Sequence, residues 1–268
     1  MQLCRRCGHL ELLDVPVESA ADEYAGVDPE TYQRSMEGER RGSAQMLVGD
    51  LMRLEAGGPL LDVGCSFGWL LEMARRAGLE AYGVDPSESA VAAARARGLN
   101  VRRGHFPEED WGRRDWAVIT YMDVLEHIPD LDFALARTVE RLRPGGFLGI
   151  QVPVSTGAVF RAAAVLEHAS LGRIDQPLRR LLQINFPYPH LHYFNRRSLE
   201  ELLRRFGMEP VSCRLDPIAT GHLVDRVSWR RKASLIERLE ATGLRVLLAA
   251  GQAAGRNDLL RLIARRPL

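Results

Sequence analysis

The chain has 268 residues, 46% hydrophobic and 26% charged, with 36 basic against 35 acidic side chains and a formal net charge of +1. That is room for one large domain with insertions, or a core domain with a small cap, of ordinary soluble composition. The near-neutral balance excludes a global field favouring nucleic acid or an anionic membrane, no apolar run reaches the ~20 residues of a bilayer span, and four scattered cysteines make no disulfide framework.

Residues 1–42 are mixed, rich in small and acidic side chains, and read as a loosely structured arm. Helical spacing starts near Ser43 and ends at Gly57-Gly58-Pro59. A strand at 60–63, a helix at 68–77, a second strand at 79–84 and a helix opening at Ser87 and stopping at Gly98 follow. Strands at 100–103 and 116–121, a helix at 131–142, the stop Pro144-Gly145-Gly146 and a strand at 147–152 continue the alternation. That rhythm predicts a parallel α/β sheet covered on both faces. It breaks after Pro153, where helical patterns at 158–171 and 177–184 form an insertion. A helix at 197–206 and a strand at 208–215 restore the alternation, 222–254 is helical in pattern, and 258–265 fits helix or strand equally.

The chemistry-bearing stretch is Leu60-Leu-Asp62-Val-Gly64-Cys65-Ser66-Phe67-Gly68, with a second strand-terminal acid, Asp85, 23 positions beyond the first. A G-x-G-x-x-G count from Gly64 would require glycine at Ser66 and Trp69, so the dinucleotide fingerprint fails. The spacing is Asp-x-Gly-x-x-x-Gly, and it resembles the first cofactor motif of class I S-adenosylmethionine (SAM) methyltransferases. Tyr121-Met-Asp-Val-Leu-Glu-His-Ile-Pro-Asp130, Arg141-Leu-Arg-Pro-Gly-Gly-Phe-Leu-Gly-Ile150 and His190-Leu-His-Tyr-Phe-Asn-Arg-Arg-Ser-Leu199 resemble later segments of the ubiquinone-type and sugar-type branch. The resemblance covers roughly 43–214 and departs from the commonest first motif at Ser66, where glycine is frequent. It implies a Rossmann-like doubly wound seven-stranded sheet, mostly parallel, with 258–265 as a last antiparallel strand and helical insertions.

SAM presents an ammonium, a carboxylate, two ribose hydroxyls, a flat base and a sulfonium. Gly64 and Gly68 would let the backbone approach it, with Cys65, Ser66 and Phe67 between them. Amide N–H groups at the following helix start would meet the carboxylate. Asp62 supplies negative charge near the amino-acid end, and Asp85, followed by Pro86, takes the ribose hydroxyls. By the resemblance, His105 and Phe106 lie near adenine, and Tyr121 and Met122 face the methionine part. Methyl transfer needs alignment more than chemical help, although an oxygen acceptor must lose a proton. His127, His190 and His192 are the candidate bases, with Asp123 weaker. Each histidine reads equally well as a structural hydrogen-bonding residue.

Cys4-Arg-Arg-Cys7 has the spacing of half a zinc ribbon, but a closed zinc site needs four ligands and only His9 is near, so no metal site is expected. The expected organisation is an arm at 1–42, a SAM-binding core at 43–152, a substrate-cap insertion at 153–195, and completion of the sheet at 196–268 with a helical insertion at about 222–254. The expected function is SAM-dependent methylation of a small-molecule acceptor, most readily at oxygen, in the cytoplasm, with no nucleic-acid partner and no integral membrane segment. A nicotinamide-dependent oxidoreductase and a non-catalytic SAM-binding module are the alternatives.

Overall fold

The computed structural model describes residues 1–13, 29–184, 188–220, 223 and 234–268. Short apolar runs form the strands β3 (Pro59–Val63), β4 (Glu80–Asp85), β5 (Asn100–Arg103), β6 (Trp116–Met122), β7 (Leu142–Pro153), β9 (Glu209–Asp216) and β10 (Leu259–Arg265). They join as one seven-stranded sheet in the order β5-β4-β3-β6-β7-β10-β9. β3 to β7 pair in parallel, and β10 runs antiparallel to both neighbours. Residues 259–264 are buried without alternation, which is why their pattern leaves helix and strand undecided.

Helices α2 (Trp69–Arg76), α3 (Glu88–Ala96), α4 (Leu131–Arg141) and α7 (Arg196–Arg205) cover the sheet. Strand parity divides the core. Leu60 pairs with Val118 on the face covered by α2 and α3, whereas Leu61 and Val63 pair with Ile119 and Tyr121 on the face covered by α4 and α7. Helix starts follow the capping residues: Ser87 accepts from the Ala90 N–H, Asp130 from the Phe133 N–H, and Asn195 with Ser198 forms a reciprocal capping box.

Two segments differ from expectation. A 25-residue helix, α1 (Pro29–Arg53), begins well before Ser43. Its first turns are polar and hide the period, yet Met36, Ala44, Leu47, Val48 and Leu51 recur on one buried face. Ahead of it, β1 (Gln2–Leu3) and β2 (Leu10–Glu11) form a hairpin that pairs with β8 (His192–Tyr193) in a small second sheet. The insertion after β7 supplies α5 (Ala158–Ala169) and α6 (Gln176–Leu181) before β8. In the predicted helical stretch 222–254 the structure gives α8 (Leu235–Ala253), and 222 and 224–233 lie outside the described residues.

An ion cluster ties the far half of the sheet to α1. Arg261 on β10 is 5% exposed and donates to Asp216 from Nε at 2.6 Å and from Nη2 at 3.2 Å, while Nη1 pairs with Asp50 on α1. Nothing in the hydrophobic pattern marks this triad.

Candidate active site

β3, β4 and β6 end at the same sheet edge, and their carboxyl ends open into a cavity of about 600 Å³. Asp62, Gly64, Cys65, Ser66, Asp85, Pro86, His105, Phe106, Met122 and His127 all line it. Its volume lies within the range of small-molecule sites.

Asp62, one residue before the end of β3, lies beside Thr120, its register partner on β6. The Thr120 hydroxyl donates to Asp62 Oδ1 at 2.7 Å. Burial pushes the Asp62 carboxyl up to about 7; the Thr120 bond and Arg40 oppose that rise and Asp85 adds to it. Asp85 ends β4 and organises the turn: it accepts from the Ser66 N–H at 2.7 Å and from the Ser87 N–H at 2.9 Å. The two acids thus stand at adjacent strand ends on one wall.

The turn after β3 is held by the Val84 carbonyl, which accepts from the Gly64 and Cys65 N–H groups. Gly64 has φ +70°, and a Cβ there would strike the Val124 side chain. Ser66 is also left-handed, at φ +47°, although it carries a side chain. Gly68, at φ +80°, opens α2, and no side chain caps the first N–H groups of that helix. Trp69 and Leu70 of the same turn line the cavity.

Several expected residues sit elsewhere. Tyr121 shares the α4 face with Val63, not the Asp62 face, and its hydroxyl is 2.7 Å from that of Thr138 in the core. Alternation along β6 dictates this: Thr120 lies beside Asp62, so Tyr121 points to the other side. Phe67 packs with Met36, Trp69 and Ala90 off the cavity wall. Gly68 does not line the cavity either; a Cβ there would meet Leu99, so its small size serves packing of the helix rather than approach of a ligand.

The three histidines separate by their hydrogen bonds. His127 lies in a short 3-10 turn (Leu125–His127) after β6, and its Nδ1–H donates to the Pro189 carbonyl at 3.0 Å. A carbonyl only accepts, so the proton is on Nδ1 and the Nε2 lone pair is left. Burial holds the imidazole down near 4, so the ring is neutral at ordinary pH. His192 uses both nitrogens: Nε2–H donates to the Ile128 carbonyl at 3.1 Å and Nδ1 accepts from His9 Nε2–H at 3.2 Å. His190 donates from Nδ1 to the Tyr193 hydroxyl at 2.9 Å, because that hydroxyl spends its own proton on the Leu181 carbonyl at 2.6 Å. Both are buried and neither lines the cavity. Glu126, His127 and His190 bring one donor atom each to within 4.8 Å of one another, a set that could hold a divalent cation.

Some site residues carried no sequence signal. Arg40 and Ala44 on α1 line the cavity, and Arg40 pairs with Asp123, which also accepts from Gln151 Nε2 at 3.0 Å. Asp123 has φ +55°. Phe133, Ala134, Ile128, Pro129 and Tyr188 make an apolar wall on the side nearest the insertion.

The sequence profile of the family described as "Methyltransferase domain" matches residues 32–213. A ubiquinone biosynthesis O-methyltransferase of Bradyrhizobium sp. (strain ORS 278) is 36% identical over 97 residues, 33% of this chain and 37% of that protein. The same-named enzyme of Sinorhizobium fredii is 30% identical over 156 residues, 56% of this chain and 59% of that protein. The chain therefore spans from 37% to 59% of these two curated relatives. A chain from the complex of the Haloferax volcanii Trm112 methyltransferase activator with a methyltransferase superposes with TM-score 0.63 and 14% identity, covering 93% of this chain and 100% of that one. At that identity the likeness concerns the fold alone.

Proposed function

This chain belongs to the class I SAM-dependent methyltransferases, and from that premise we propose that it methylates an oxygen of a small-molecule acceptor, with His127 as the base. The observation that carries the reading is a neutral imidazole, locked as the Nδ1–H tautomer, on the wall of the same cavity as Asp62 and Asp85. In this reading Asp85 takes the ribose hydroxyls, Asp62 the ammonium, and the Gly64–Ser66 backbone lies along the cofactor. Gly104, His105 and Phe106 border the base, and Met122 borders the methionine chain. Arg40 and the uncapped N–H groups of α2 face the carboxylate.

The reaction is an in-line displacement. Bound in this cavity, SAM would supply an electrophilic methyl group that would pass to the acceptor oxygen, with the carbon–sulfur electron pair returning to sulfur as a neutral thioether. The acceptor proton passes to His127 Nε2, and the imidazolium keeps its Nδ1–H bond to Pro189. His190 and His192 position this wall: Leu191, between them, donates its N–H to the Glu126 carbonyl at 2.8 Å, one residue before His127. The apolar side formed by Ile128, Phe133 and Tyr188 suits an acceptor with a ring or hydrocarbon body.

Among the described residues no helix is long and apolar enough to cross a membrane. The small overall charge supports a small-molecule rather than a nucleic-acid acceptor. Calorimetric titration with SAM, with NAD as the control, tests the cofactor; a methylation screen over phenolic and sugar hydroxyls tests the acceptor class. Binding of NAD but not SAM would refute the assignment, and SAM binding with no acceptor methylated would favour a non-catalytic module.

A further inference from the structure

α8 buries one face, where Ala241 and Leu248 are 1% and 6% exposed. A surface helix ordinarily turns polar residues outward. α8 instead presents Leu235, Leu239 and Val246, which are 74%, 64% and 66% exposed. At 3.6 residues per turn these three fall within about 40° of arc, roughly opposite the buried pair. Exposed Arg238 and Arg245 stand together on one flank of that stripe. α5, which packs against α8, leads into a connection with Leu171 and Ile174 at 85% and 47% exposure. Seven of the sixteen large apolar side chains exposed among the described residues lie on this helical cap.

The charge is equally uneven. Residues 158–181 and 234–256 carry seven arginines against four acids. The formal net charge of +1 therefore divides into +3 on these segments and −2 on the rest of the chain.

We propose that this cap is a membrane-docking surface that seats on bilayers rich in anionic lipid. The apolar stripe enters the headgroup boundary and the arginines pair with lipid phosphates. A second copy of the chain is a poorer occupant, because a two-fold contact would set one basic cap against another. The cap rises from the sheet edge that holds the cavity: α5 follows the carboxyl end of β7, and α8 leads into Leu259, the register partner of Pro153. Docking would therefore bring that edge to the lipid. The inference stands apart from the methyl-transfer reading and holds or fails without it.

The test is flotation of the full chain with phosphatidylcholine vesicles, with and without ~30% phosphatidylglycerol, together with its mass in solution. The expected result is about tenfold more protein on the anionic vesicles and release at high salt. Leu239→Glu with Val246→Glu should abolish binding, and Arg238→Glu with Arg245→Glu should erase the lipid preference. Leu171→Glu, at a side chain too exposed to support the fold, should weaken binding and secures the test if the α8 pair unfolds. No flotation with anionic vesicles, equal binding to neutral ones, or variants that bind like the parent would overturn the proposal. So would a dimer that the Leu239/Val246 change dissociates.

Discussion

If Asp62 receives the cofactor's ammonium, SAM affinity must depend on pH near neutrality. Burial holds this carboxyl up at about 7 in the free protein, against the Thr120 hydroxyl bond. A raised carboxyl favours the protonated form, so the cofactor-free fold loses stability as pH rises from the ordinary carboxylate range through 7. The ammonium needs the ionised form, so binding below pH 7 must expel a proton. With full coupling, affinity rises about fivefold from pH 6 to pH 7, or about 1 kcal/mol, with nearly one proton released at the lower pH. Above about pH 7.7 the ligand's own α-amino group begins to lose its charge, and the rise ends. Calorimetry in two buffers of different ionisation enthalpy reads the proton directly. Asp62→Asn keeps a partner for Thr120, removes the titration, and should give weaker, pH-flat binding across that interval. Wild-type binding without proton release, or an Asn variant with the same slope, would refute the pairing.

His127→Ala should lower turnover by about a hundredfold or more while leaving SAM affinity within about threefold, measured as kcat against a calorimetric Kd. An equal loss in both would make His127 a structural residue. Ser66→Gly relieves a left-handed φ of +47° and should stabilise the fold by about 0.5–1 kcal/mol in urea unfolding, after the glycine entropy cost. A loss instead would mean that the Ser66 hydroxyl holds the turn. Arg261→Ala strands Asp216 as a buried carboxylate, while Asp50 keeps Arg53 at 2.5 Å, and should cost about 3 kcal/mol. Arg261→Met with Asp50→Asn and Asp216→Asn should recover most of it, since the loss reflects unpaired charge rather than missing volume.

The sheet was legible because its strands are short, apolar and punctuated by glycine, and because Asp62 and Asp85 are the acids near the ends of two of them. The orientation of Tyr121 was legible too, had alternation along β6 been counted from Thr120 rather than taken from a resemblance. Arg40 was not: α1 begins in a polar stretch whose apolar positions lie eight apart between Met36 and Ala44, too sparse for a periodic signal. The histidines needed coordinates. Spacing brings all three near the sheet edge, but only the coordinates show that His127 lines the cavity while His190 and His192 do not, and that both nitrogens of His192 are engaged.

The amino-terminal hairpin has a practical bearing on anyone who handles this protein. Asn195 Nδ2 donates to the Cys7 carbonyl at 2.9 Å, the Leu12 N–H to the Leu191 carbonyl at 2.8 Å, and the His9 ring stacks on His192. The opening dozen residues therefore buttress the strand beside Pro189, the carbonyl that fixes the His127 tautomer. Purification handles belong at the other end, where Leu268 is 96% exposed. Trimming the first thirteen residues to aid crystallisation would disturb the very wall one wished to see.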